Sequence, residues 1–252
     1  MNAPLTDLAA LTRQRDRARR LPGHDAALFA HRLALADVQE RLIEVNRTFT
    51  APAIVTGFPD LWRDLASGGV VVPDQDALGL TPGAHDLVVH AMGLHWANDP
   101  VGQLVQCRRA LRPDGLFIAV FPGGRSLHEL RSALAEAESA VTGGLSPRVL
   151  PMGEIRELGG LMQRAGFALP VADSVTQTVE YPGFPALLHD LRAMGEANAL
   201  AARPRHFTRR AILNAAGAIY RQNFTLPTGR VQATLDLVFL TGWAPHDSQQ
   251  KP

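Results

Sequence analysis

Six consecutive apolar residues, Leu116-Phe117-Ile118-Ala119-Val120-Phe121, stand between two breakers, Arg112-Pro113-Asp114-Gly115 and Pro122-Gly123-Gly124. A strand with no polar face must be covered on both sides, which is the situation of a parallel sheet flanked by helices. Three shorter runs repeat the pattern: Ala53-Ile54-Val55-Thr56 ending in Gly57, Val70-Val71-Val72 between Gly68-Gly69 and Pro73-Asp74, and Asp86-Leu87-Val88-Val89. Helical segments lie between them. Pro59 to Ala66 is one, and Asp99 to Leu111, capped by Asn98 or Asp99, is stopped by Pro113. Ser126-Leu127-His128-Glu129 has capping-box spacing and predicts a helix to about Ala140, ended by Gly143-Gly144. Another helix is expected from Gly153 to Ala165, stopped by Gly166. Strands alternating with helices predict an α/β fold with a doubly wound, mostly parallel sheet.

Outside this block, Leu28, Leu35, Val38, Leu42 and Val45 mark an amphipathic helix over Ala26 to Asn46. The mixed polarity of Val171 to Tyr181 predicts a strand with one exposed face. Phe184 to Leu200 and Thr208 to Asn223 read as helices. Arg230 to Thr241 reads as a final strand that pairs antiparallel. The expected organisation is one compact domain without a dividing linker. It consists of an N-terminal helical segment (1–48), an α/β domain (49–246) carrying a helical insertion (184–226), and a disordered tail (247–252).

Composition removes several function classes. Twenty-five basic against 24 acidic residues give a net charge of +1, which supplies no overall field toward nucleic acid or an anionic membrane. Lys251 is the only lysine, so arginine is the general surface cation. Five arginines between Arg13 and Arg20 read either as a solvated helix face or as an anion-binding arm. Cys107 is the single cysteine, and the nine histidines show no HxxxH or HxH spacing, so no metal site is expected. No window holds the roughly 20 apolar residues of a membrane span, and no secretory leader pattern is present, so the chain reads as cytoplasmic. No Gly-x-Ser-x-Gly elbow, P-loop or carboxylate pair indicates a hydrolase or kinase, and no catalytic residue can be named.

In sheets of this kind ligands bind beyond the carboxyl ends of the strands. Behind the second strand, Asp74 and Asp76 are carboxylates able to accept from a ribose or an adenine amino group, or to form local turn bonds. Behind the third, small residues in Ala91-Met92-Gly93 let a ligand approach the backbone, and His95-Trp96 offers a stacking, titratable wall. Alternatively Trp96 staples the loop and Asp99 caps a helix. Behind the fourth, Gly123-Gly124 admits a substrate or simply turns the chain. Behind the first, Thr56-Gly57-Phe58-Pro59 carries one glycine, and Pro59 removes an amide that an anionic group would want.

These segments together resemble the class I S-adenosylmethionine (SAM) methyltransferases. Asp86-Leu87-Val88-Val89, Leu94-His95-Trp96 and Arg109 through Phe117 are similar to that superfamily's fourth strand, following helix and fifth strand, and Asp76-Ala77-Leu78 to its adenine-side motif. A narrower resemblance is to the mitochondrial complex I assembly factor family, related to the malonyl-carrier-protein methyltransferases. It rests on Leu94-His95-Trp96 with Asp99, Gly123-Gly124 with Glu129-Leu130-Arg131, Ser146-Pro147, Tyr181-Pro182-Gly183, Met194-Gly195-Glu196 and Gly242-Trp243.

The resemblance implies a Rossmann-like fold and SAM as cofactor. It assigns Gly57, Asp74, Asp76, Ala77, Ala91, Met92 and His95 to the cofactor side, and Trp96, Asp99, Gly124 and Arg148 to the substrate side. A protein substrate or a complex I subunit is the implied partner, with methylation or arginine hydroxylation as the chemistry. A non-catalytic assembly scaffold is the alternative.

The chain departs from the superfamily in one region. Only Gly57 stands for the glycine-rich loop, and too few residues separate it from Asp86 for the usual second and third strands with their helices. The first βαβ half is therefore expected to lack one βα unit.

Overall fold

A computed structural model describes residues 3–246 and 249; apart from Gln249, the expected tail lies outside the described residues. A six-stranded sheet of order β2-β1-β3-β4-β6-β5 is formed by β1 (Pro52–Thr56), β2 (Val70–Val72), β3 (His85–Ala91), β4 (Leu111–Gly123), β5 (Ala168–Tyr181) and β6 (Val231–Trp243). The first four are parallel, with Ile54 opposite Val71 and Val89, and Val89 opposite Ile118. The last two form an antiparallel pair, so that Thr176 Oγ1 donates to Asp236 (2.7 Å) and Arg230 reaches the carbonyl of Glu180 (2.9 Å). Between Val72 and His85 there is neither strand nor helix, and β2 is the sheet's edge. The missing βα unit is the one that would lie beyond it.

The chain gathers into two compact units. The sheet unit comprises Phe29–Gly124, Gly153–Val175 and Leu237–Pro252. It holds α3 (Phe29–Val45), the single turn α4 (Pro59–Trp62), α5 (Pro100–Ala110), α7 (Ile155–Arg164), β1 to β4 and the adjoining parts of β5 and β6. Leu104 and Cys107 of α5 and Leu158 and Met162 of α7 bury against Val88, Phe117, Ala119 and Leu240 on one face. Across the other face Arg41 of α3 makes a forked pair with Asp173 and lays its guanidinium 4.0 Å over the Phe239 ring. Burial pushes the Cys107 thiol well above its ordinary pKa, which makes it an inert core residue.

The helical unit comprises Met1–Leu28, Arg125–Met152 and Thr176–Asp236. Here α6 (His128–Thr142) and α9 (Arg210–Phe224) pack through Leu130, Leu134, Ile212, Ala216 and Tyr220, joined by Phe184 and Leu187 of α8 (Phe184–Met194). The segments α1 (Leu8–Ala18) and α2 (His24–Ala27) belong to it as well. The helix expected over Ala26 to Asn46 is therefore two helices broken at Leu28, on opposite sides of the division between units. The charge expectation changes with it. The helical unit carries fifteen arginines against ten carboxylates, and the sheet unit ten basic residues against fourteen carboxylates, so a near-neutral total conceals two fields of opposite sign.

Three local expectations are corrected. The capping box does not form, because the residue before α6 is Leu127 in a left-handed conformation (φ 54°) and makes no side-chain cap. Ser126 instead exchanges hydrogen bonds with the Asp236 main chain (3.1 and 2.9 Å), and the buried Glu129 carboxylate accepts from the amide and hydroxyl of Thr234 (3.1 and 2.6 Å). Partners on β6 outcompete the local cap. The helix predicted over Pro59 to Ala66 is one α-turn followed by a 3-10 turn, Arg63–Ala66. The helix from Phe184 stops at Met194, where Gly195 takes φ 89°.

Candidate functional site

Parallel pairing sends the segments after β1, β2, β3 and β4 to one end of the sheet, and those after β1, β2 and β3 stay within the sheet unit. The stretch after β2 is fixed from behind by two glutamines one helical turn apart on α5. Gln106 accepts from the Leu78 amide (2.9 Å) and donates to the Asp76 carbonyl (2.9 Å), while Gln103 donates to the Gln75 carbonyl (3.1 Å). Leu78 is buried beneath; Gln75, Asp76 and Ala77 face outward. Asp74 behaves differently. Its carboxylate turns toward the end of β3, so that a β-carbon placed on Gly93 would lie 2.4 Å from Oδ2. Glycine at 93 is what allows that approach.

Gln103 also contacts His90, a fully buried histidine on β3 (Nε2 to Oε1, 2.8 Å). Since the Gln103 amide nitrogen donates to Gln75, its oxygen faces the imidazole, and His90 must carry its proton on Nε2. Burial depresses the His90 pKa, opposed by the Gln103 bond and the Asp74 charge, so the ring is neutral at pH 7. His90, Gln103 and Gln106 were not singled out by the sequence reading. The available signals were a histidine inside an apolar strand and two glutamines at i, i+3 on one helix.

Ala91 and Met92 are buried; Met92 has φ 55° and donates its amide to Val120 (2.7 Å). His95 and Trp96 follow in a 3-10 turn, Leu94–Trp96, with ring centroids 5.4 Å apart, Trp96 buried and His95 half-buried. Asp99 is the N-cap of α5: Oδ1 accepts from the Gly102 amide (2.8 Å), and a β-carbon at 102 would meet Oδ2 at 2.3 Å. Asp99→Ala is accordingly expected to cost about 1 kcal/mol in denaturant unfolding, the worth of a lost cap. Gly123 is enclosed by Val238, whose Cγ2 would lie 2.6 Å from an added β-carbon, and Gly124 donates its amide to Gly153 (3.0 Å). Arg148 lies in the helical unit, bound to Glu138 and to Thr208. Of the residues assigned from sequence, Asp74, Asp76, Ala77, Ala91, Met92, His95 and Trp96 thus follow the ends of β2 and β3, the two strands that flank β1.

The turn after β1 has a different character. Thr56 Oγ1 accepts the Phe58 amide (3.1 Å), and Pro59 opens the one-turn helix α4. The Phe58 ring is buried 4.3 Å from the His31 ring, and Trp62, wholly inside, donates its indole N–H to His31 Nδ1 (3.2 Å). Against a SAM-type ligand the donor set divides. The acidic and small residues behind β2 and β3 suit a nucleoside, whereas the aromatic-filled turn behind β1 does not suit an amino-acid tail.

The fold is that of a class I methyltransferase scaffold, and the comparisons agree. A methyltransferase domain family model matches residues 23–119. The chain is 35% identical over 221 residues to the arginine-hydroxylase NDUFAF5, mitochondrial, of Danio rerio, covering 88% of this chain and 64% of that protein. It is 31% identical over 211 residues to the malonyl-[acyl-carrier protein] O-methyltransferase of Halorhodospira halophila, covering 84% and 70%. A putative methyltransferase structure from Bacillus halodurans superposes with TM-score 0.51 at 9% identity, covering 82% and 98%, which speaks to the fold alone. This chain belongs to the SAM-dependent methyltransferase family. It spans less than two thirds of the length of the Danio rerio relative.

Proposed function

We propose that this protein binds an S-adenosyl ligand behind β2 and β3 and acts on a protein partner in the assembly of respiratory complex I. The observation that carries the ligand reading is the Asp74 carboxylate set against Gly93, beside the Asp76-Ala77 stretch pinned by Gln103 and Gln106. A carboxylate at the end of a second strand is placed to accept from ribose hydroxyls, and the glycine opposite lets that carboxylate turn toward the end of β3. The partner reading is supported by the similarity to NDUFAF5, an arginine-hydroxylase by name. No reaction step is derived, because the residues behind β1 do not fit the whole cofactor.

Ligand linkage supplies the test. SAM at millimolar concentration should raise the melting temperature of the full chain, and Asp74→Asn should abolish most of the rise. An unchanged melting temperature would remove the ligand reading. Tagged protein should retain peripheral-arm subunits of complex I in a pull-down; their absence would remove the partner reading.

A further inference from the structure

We infer that this protein grips its adenosyl ligand by the nucleoside half alone, so that 5′-methylthioadenosine, which lacks the amino-acid tail, binds as tightly as S-adenosylhomocysteine. The inference rests on the nucleoside reading above and adds which part of the ligand supplies the affinity. An amino-acid tail is a zwitterion. Its carboxylate needs several N–H donors converging from a turn or a helix N-terminus.

The turn behind β1 does not offer that set. The Phe58 amide is taken by Thr56 Oγ1 within the turn itself, and Pro59 has no N–H. Helix α4 runs only from Pro59 to Trp62 before tightening into the 3-10 turn, so little dipole accumulates at its start. The charged residue in its first turn, Asp60, repels a carboxylate, and its own side chain is exposed and paired with Arg63 (3.6 Å) rather than held as an acceptor for an ammonium group. The interior behind the turn is occupied as well. Phe58 is 4% exposed with its ring on His31, and Trp62 is 0% exposed with its indole N–H on the same imidazole. Where an anion cradle would be needed, the chain has built an aromatic core.

The nucleoside side carries two carboxylates on one fixed stretch. Asp74 stands against Gly93, and the carbonyls of Gln75 and Asp76 are held by α5, which fixes the stretch carrying both carboxylates. Recognition is therefore one-sided.

Isothermal calorimetry on the full chain with S-adenosylhomocysteine, 5′-methylthioadenosine and adenosine tests this. The first two should show dissociation constants within about threefold of each other, whereas a carboxylate held by charge-assisted hydrogen bonds would separate them by about tenfold or more. Asp74→Asn should weaken both by the same factor. A preference of more than threefold for S-adenosylhomocysteine would overturn the inference and leave the ligand reading standing. Binding of none of the three would overturn both. Binding that is indifferent to Asp74→Asn would place the ligand elsewhere and overturn the inference.

Discussion

Arg148→Ala should lower the unfolding free energy by about 3 to 5 kcal/mol, the usual cost of leaving one member of a buried ion pair alone. The Arg148 side chain is 11% exposed and that of Glu138 5%. The pair is forked, with Nε 2.9 Å from Oε2, and the remaining nitrogen donates to Thr208 Oγ1 (2.9 Å). The amide and hydroxyl of Ser146 complete the carboxylate (both 2.9 Å), so the stretch after α6 is folded back along the helix by one acid. Lysine at 148 keeps the charge and loses the fork, and should recover only part of the loss. Urea unfolding followed by circular dichroism measures all three forms.

The same pair makes stability acid-sensitive in a stated direction. Hydrogen bonding from Arg148 first, then from Ser146 against the opposing effect of burial, holds the Glu138 carboxyl at about 2, below its ordinary 4.5. A depressed carboxylate stabilises fully above its unfolded pKa, and that contribution disappears as pH falls from 4.5 through about 2. Glu138→Gln should lose this part of the acid dependence. Parallel pH profiles for wild type and variant would show that the pair contributes nothing.

Trp62→Ala is the second large effect, about 3 to 5 kcal/mol, as expected when a fully enclosed indole is truncated and its cavity only partly collapses. Trp62→Phe keeps most of the volume but removes the N–H that His31 Nδ1 accepts, and should cost about 1 to 2 kcal/mol. The order Ala worse than Phe worse than wild type is the expected outcome of chemical denaturation. Equal losses for the two variants would mean that the hydrogen bond, not the packing, sets the value.

Much of the sheet could be read from the chain because β1, β3 and β4 are largely buried on both faces and stopped by glycine or proline, whereas Val70–Val72, expected to be covered in the same way, is a half-exposed edge. Leu116 to Phe121 and Asp86 to Val89 needed no partner to be recognised. Chain length between Gly57 and Asp86 was enough to expect the lost βα unit, since strands and helices have fixed reach. What escaped depends on partners far away in sequence. Ser126 and Glu129 have the spacing of a local cap, yet Asp236 and Thr234, more than a hundred residues later, take their hydrogen bonds. The two units interleave three segments each, so no linker announces them. At the site, Asp74 and Asp76 were visible as acids behind a strand, but only Gly93 distinguishes their orientations. Gln103 and Gln106 are ordinary helical residues until the stretch they hold is seen.

The position of β6 between β4 and β5 has a consequence for how the protein is made. The strand that fills the middle of the sheet's antiparallel side is the last to leave the ribosome. Until residues 231–243 emerge, β4 keeps an unpaired apolar edge and neither unit has all its segments. Early-emerging parts can gain helices and the β1 to β3 ladder, but the core around Phe117, Val238 and Leu240 closes only once β6 is present. From the emergence of β4 to that of β6, therefore, the growing chain carries an open apolar strand edge, a template for unwanted pairing.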